Sequence, residues 1–363
     1  MFPRANGKAS ARGPASSCGN RMRTIIIGFC GFRMSPADGP PLLLRLAGAV
    51  MGALLLAACG ASRQSAPDAA AEKAFKVVTT FLPITLFTRA VAGDCATVTP
   101  LIPANTGPHD FQARPGDLTA LRQARVLVKN GLEMEAFLDK LVAAAGNSQL
   151  KVIDSSRGVV TMETEDHGDA HGKEHGHHDD HGSAHGHDHG AVNPHIWLDP
   201  LRAVQQVETI RDGLVKADPS CADGYRRNAA AYTAQLKQLN SDIADQLQPY
   251  QGKTFVAFHD FAPYFAQRYG LKAEYLVDVP EINPTPADLN RVVAEVKRSQ
   301  LQALLSEPQE GNRSFNALAK DLGVKVVVFD PMETATEEAS RDPSTYLKLM
   351  RRNVAGLRQA FGQ

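Results

Sequence analysis

The chain is short of net charge, of long apolar runs and of the sequence signatures of a metalloenzyme. Its 39 basic and 39 acidic side chains cancel. No positive excess is left for a polyanion, which excludes nucleic acid as a partner. The apolar stretch at residues 46–58 falls short of the roughly 20 residues that a membrane span needs. A His-Glu-x-x-His helix pattern is absent, and with it the commonest zinc-hydrolase arrangement. What remains is 43% apolar and 21% charged over 363 residues, enough for a soluble body of two domains.

The first 59 residues read as a leader. Arg45 is followed by the apolar run 46–58, which ends in small residues, the layout of a secretory signal. Its end, Leu56-Ala57-Ala58-Cys59, resembles the lipobox of bacterial lipoproteins, in which the cysteine is acylated and becomes the mature N-terminus. An ordinary signal peptide or an uncleaved anchor is the alternative. Residues 1–33 carry an apolar patch of their own at 24–32, which makes Met34 a candidate initiator. Residues 60–74, rich in Ala and Ser, suit a flexible tether. The expected location is extracytoplasmic: periplasmic, or anchored to a membrane by lipid. Of five cysteines, Cys18 and Cys30 fall in the leader and Cys59 is the lipidation candidate. Cys95 and Cys221 remain, and an oxidising compartment permits a disulfide between them; two separate buried thiols would be equally consistent.

From residue 75 onward, short β-rich runs alternate with helical stretches, the pattern of parallel α/β structure. Strands are expected at 76–80, 97–102, 125–128 and 151–153, with helices at 84–92, 115–123 and 135–145. The pattern restarts with strands at 253–258, 274–277, 302–305 and 324–329. Helices follow the first of these through Tyr269, then fill 286–298, 316–322 and 346–361. Pro115-Gly116-Asp117-Leu118 and Pro286-Ala287-Asp288-Leu289 open equivalent helices, with proline at the first helical position and aspartate in the first turn. Between the halves, Asp218 caps a helix that starts at Pro219 and runs to about Gln248, a span of about 45 Å. Two shorter helices broken near Tyr232 are the alternative. The predicted architecture is therefore two α/β lobes, 75–217 and 251–363, each with about four mainly parallel strands flanked by helices. A rigid linker helix at 218–250 joins them, and the cleft between them would hold the site.

Twelve histidines are distributed unevenly. Nine crowd into one tract within 166–190: His167, His171, His175, His177, His178, His181, His185, His187 and His189. Almost no apolar residue accompanies them, so the tract cannot bury a core and is expected to be a disordered loop. Imidazoles at that density, spaced by acidic residues, bind zinc, copper or nickel. The other three stand apart. His259 follows the strand at 253–258, and His109 follows the strand at 97–102 across a turn. His195 sits in the stiff octet Asn193-Pro194-His195-Ile196-Trp197-Leu198-Asp199-Pro200 with the lone tryptophan. Asp330 follows the strand at 324–329. Ligands of open parallel sheets bind at the carboxyl ends of strands, so these side chains are placed to converge. Three imidazoles and a carboxylate make a four-coordinate set suited to Zn²⁺.

Residues 76–363 resemble the cluster A-I solute-binding proteins of zinc and manganese ABC importers. The resemblance is carried by Gly107-Pro108-His109-Asp110-Phe111, the octet 193–200, Phe258-His259-Asp260-Phe261-Ala262-Pro263-Tyr264-Phe265, Ser306-Glu307-Pro308-Gln309 and Val328-Phe329-Asp330-Pro331. It implies His109, His195, His259 and Asp330 as metal ligands, and a membrane permease as the partner of a monomeric receptor. Manganese-type members generally carry glutamate in place of the third ligand, so His259 points to the zinc branch, where a His-rich insert is also typical. Other readings are a receptor for manganese or another divalent metal, a zinc-buffering lipoprotein that works through the tract, and a zinc enzyme with an open coordination position. The last lacks an evident base for a bound water.

Overall fold

Short runs buried at every position, such as Thr254–His259, fit a sheet covered by helices on both faces, the usual setting of parallel strands. The computed structural model describes residues 75–109, 111–163, 191–278, 283–308 and 313–362. In it the strands form two four-stranded, wholly parallel sheets. The first contains β1 (Phe75–Thr79), β2 (Ala96–Pro100), β3 (Val126–Lys129) and β4 (Lys151–Asp154), in the order β2-β1-β3-β4. The second contains β5 (Thr254–His259), β6 (Lys272–Val277), β7 (Ala303–Ser306) and β8 (Lys325–Val328), in the order β6-β5-β7-β8. Each sheet thus builds outward to one side of its first strand and then crosses to the other. The crossing point lies between β1 and β3 in one sheet and between β5 and β7 in the other.

Helices α1 (Leu82–Ala92), α2 (Pro115–Gln123) and α3 (Leu138–Ala145) accompany the first sheet, and α6 (Pro263–Tyr269), α7 (Pro286–Ser299) and α8 (Arg313–Leu322) the second. The two Pro-x-Asp-Leu openings use the same device. Asp117 accepts from the Arg114 backbone N–H at 2.6 Å, and Asp288 from that of Thr285 at 2.8 Å. Each ties the third residue of its helix back to the cap.

Between the sheets come α4 (Pro200–Ala217) and α5 (Ala222–Leu247), and the chain closes with α9 (Glu337–Arg341) and α10 (Ser344–Ala360). The spine is not a helix from Pro219: residues Pro219–Cys221 form a 3-10 turn first. Helix α5 then runs unbroken past Tyr232 for 26 residues, about 39 Å. Tyr225, Ala229, Tyr232, Leu236, Leu239, Ile243 and Leu247 make a buried stripe along it, at helical spacing. That stripe joins Val77 and Val126 of the first sheet to Phe255 and Leu305 of the second in one continuous apolar core. Cys95 and Cys221 form a disulfide, with Cα atoms 6.0 Å apart, that fastens the start of β2 to the start of α5. A Cβ on Gly224 would lie 2.6 Å from the Cys95 sulfur, so glycine is needed there. No helix among the described residues is long and apolar enough to cross a membrane. Cys59 and all nine histidines of the tract lie outside the described residues.

Candidate metal centre

Three histidines and a glutamate meet between the two sheets. His259 is the last residue of β5, which carries it to the sheet's carboxyl edge. His109 comes from the loop after β2, and His195 from the octet, whose Asp199 caps α4 by accepting from Leu201 N–H at 2.9 Å. The fourth member is Glu333, in the loop after β8. Ligand atoms of the four residues all lie within 4.8 Å of one another. Glu333 Oε1 is 3.3 Å from His195 Nε2 and 3.5 Å from Nε2 of both His109 and His259. The two Nε2 atoms of His195 and His259 are 3.4 Å apart. The side chains of His195 and His259 are wholly buried, and those of Glu333 and His109 are 1% and 6% exposed.

The fourth position differs from the expectation. Asp330 is not in this group. Its Oδ1 accepts from Met332 N–H at 2.8 Å, closing a turn across Pro331 that puts Met332 at φ +65°. Its Oδ2 receives Arg352 at 3.0 Å, and Asn353 bonds both its N–H and its carbonyl. An aspartate before a proline, two residues past β8, is placed to form a turn, and here the turn and Arg352 together occupy both carboxylate oxygens. Glu333, three residues on, is aimed inward instead. Trp197 Nε1–H donates to Pro331 O at 2.8 Å and Ala335 N–H to Ala104 O at 2.6 Å, so the segments carrying His195 and His109 pin both sides of Glu333.

Hydrogen bonds define the tautomers of the two fully buried histidines. Asn193 Nδ2 donates to the carbonyl and carboxylate of Asp260 at 2.8 and 2.9 Å, so its Oδ1 faces His195. That oxygen accepts from both the backbone N–H and Nδ1–H of His195 at 3.0 Å. Glu307 Oε1 accepts from His259 Nδ1–H at 2.6 Å and from its N–H at 3.2 Å. With both Nδ1 atoms donating, both Nε2 atoms present lone pairs to each other and to the Glu333 carboxylate. Only a proton or a cation can reconcile such a convergence of acceptors.

The titration directions agree with that picture. Burial depresses His195 to about 4, and the neighbouring histidines add to the effect. Burial also disfavours charge on His259, but Glu307 and Glu333 outweigh it and raise His259 to about 10. Burial pushes the Glu333 carboxyl up, yet the three histidines, His109 foremost, hold it well below the ordinary carboxylate range. Burial raises Asp330. A neutral imidazole, a proton-bearing imidazole and an ionised carboxylate therefore share one small volume.

The set fits a tetrahedral cation. Zinc–nitrogen and zinc–oxygen bonds of about 2.0–2.1 Å give a tetrahedron with edges of about 3.3–3.4 Å. Four of the six donor separations span 3.3–3.5 Å, and all six lie within 4.8 Å. Three nitrogen donors and one oxygen donor also suit Zn²⁺ better than the hard, oxygen-seeking Mg²⁺ or Ca²⁺.

The profile of the family described as "ZnuA: Zinc-uptake complex component A periplasmic" matches residues 77–360. The chain belongs to this family. It is 31% identical over 315 residues to the zinc-binding lipoprotein AdcA of Streptococcus pneumoniae, an alignment covering 86% of this chain and 59% of that protein. The chain thus spans about three fifths of that relative's length. To the high-affinity zinc uptake system protein ZnuA of Bacillus subtilis it is 30% identical over 310 residues, covering 85% of this chain and 94% of that one. Among solved structures it resembles Zn(II)-bound AdcA from Streptococcus pneumoniae with a TM-score of 0.65 and 30% identity, over 80% of this chain and 58% of the other.

Proposed function

We propose that the chain is an extracytoplasmic receptor that takes up one Zn²⁺ through His109, His195, His259 and Glu333 and passes it to the membrane permease of an ABC importer. The convergence of four buried donors at tetrahedral spacing supports this most strongly. Four protein donors fill the coordination of a small tetrahedral ion and leave no open position for a metal-bound water, which favours a receptor over an enzyme. The names of the AdcA and ZnuA relatives agree with zinc as cargo.

Lipid anchoring at Cys59, a monomeric state and accessory capture of metal by the histidine tract belong to the same proposal. The tract is rooted beside the centre. Its described flanks, Glu163 and Val192, pair in an antiparallel bridge, and Asn193 N–H donates to Met162 O at 3.1 Å. Tyr264 O–H donates to Asn193 O at 2.7 Å.

Zinc titration against a competing chelator, on protein lacking residues 166–190, tests the reading. One tight equivalent is expected. Loss of tight binding on that deletion would make the tract the real site and remove the four-donor centre.

A further inference from the structure

The centre supports its two buried histidines unequally. Nδ1–H of His195 is held by a neutral amide, Asn193. Nδ1–H of His259 is held at 2.6 Å by the carboxylate of Glu307, which stands one residue past β7. The Glu307 side chain is wholly buried, so its charge acts on the imidazole through the protein interior rather than through bulk solvent. Because β5 and β7 are paired at Ala257 and Leu305, the sheet itself brings the strand ends together. The same carboxylate oxygen also takes the His259 backbone N–H, which fixes its position relative to the ring.

We propose that Glu307 is a positioning residue that sets metal preference. By holding Nδ1–H of His259 with a full negative charge, it makes Nε2 a stronger donor and tilts the centre toward Zn²⁺ over Mn²⁺. The inference rests on the zinc-receptor reading above. A carboxylate behind a ligating imidazole fixes the tautomer and raises ligand basicity. Zinc, which favours nitrogen donors, gains more from that basicity than manganese, whose preference is for carboxylate, carbonyl and water oxygen. Positioning alone would not produce the difference, because a glutamine at 307 can accept the same hydrogen bond without the charge.

The test compares Zn²⁺ and Mn²⁺ dissociation constants, by chelator competition, for the full chain, Glu307→Gln and Glu307→Asp. Glu307→Gln is expected to weaken zinc by about 10-fold or more, within the range for such supporting groups. Manganese should weaken less, lowering the zinc-to-manganese ratio, and Glu307→Asp should recover most of that ratio. An unchanged ratio in a zinc-binding Glu307→Gln protein overturns the inference and leaves the receptor reading standing. A full chain that binds no zinc overturns both. A readout that needs no variant is the Nδ1–H proton resonance of His259 in the zinc-loaded chain. It should lie well downfield of that of His195, and coincidence of the two would equally overturn the inference.

Discussion

The two sheets solve the same problem at their crossing points and end with different chemistry. In the first, Thr80 follows β1 and Asn130 follows β3. Glu135 Oε1 accepts from Thr80 O–H at 2.7 Å and Asn130 N–H at 2.8 Å, while Oε2 accepts from Gly131 N–H at 3.0 Å. In the second, His259 ends β5 and Glu307 follows β7, again with the carboxylate receiving donors from the neighbouring strand end. Both crossing points bury a carboxylate and satisfy it with N–H or O–H groups. In the first sheet those donors are a hydroxyl and backbone amides. In the second one donor is an imidazole, and its far nitrogen is left facing the cleft. The carboxylates enter from different places, Glu307 directly after β7 and Glu135 five residues past Asn130, so the two corners reach a similar arrangement by different routes.

That contrast can be broken most severely at the four proposed donors. His195→Ala and Glu333→Gln should each weaken zinc by more than about 100-fold, beyond the range for supporting groups. Chelator competition checks this. If Glu333→Gln bound zinc as tightly as the unaltered chain, the four-donor centre would be wrong.

The next largest effect is of pH. His259, raised to about 10, carries a proton in the zinc-free protein that zinc must displace, whereas His195, lowered to about 4, carries none at neutral pH. Affinity should therefore rise about tenfold per pH unit from pH 6 to 8, with about one proton released per zinc. Calorimetry in buffers of different ionisation enthalpy counts that proton, and a flat profile would contradict the assignment.

Smaller effects sharpen the comparison. Asp330→Asn keeps an acceptor for Met332 N–H and loses only the charge facing Arg352, so zinc affinity should change by less than about 10-fold. A loss equal to that of Glu333→Gln would restore Asp330 as a ligand. At the other crossing point, Glu135→Ala should leave zinc affinity unchanged. It strands buried amides and should lower stability by about 1–3 kcal/mol, read by denaturant unfolding.

Much of this was legible in the sequence because it is local. The strand runs, the paired Pro-x-Asp-Leu openings and the three isolated histidines each declare themselves within a few residues. Helix α4 did not. Arg202 and Gln206 are buried on it, the one bonded to Asp199, the other to Asn130 and Ser155, and they interrupt the apolar stripe that marks a helix. Glu333 was missed because its direction depends on a turn with Met332 at positive φ, which composition does not announce. Asp330 was read as a ligand because it stands where a strand ends, and nothing local shows that its carboxylate is spent on the turn. Glu307 lay in a recognised segment without a role, since its partner is 48 positions away.

The disulfide between Cys95 and Cys221 has a topological consequence. It closes a covalent ring whose ends are 126 positions apart. His109, His195 and the whole histidine tract lie inside the ring, while His259 and Glu333 lie outside it. A single cut in the tract would sever the backbone between His109 and the other three donors. The sulfur bond would still keep all four in one molecule for as long as the compartment stays oxidising.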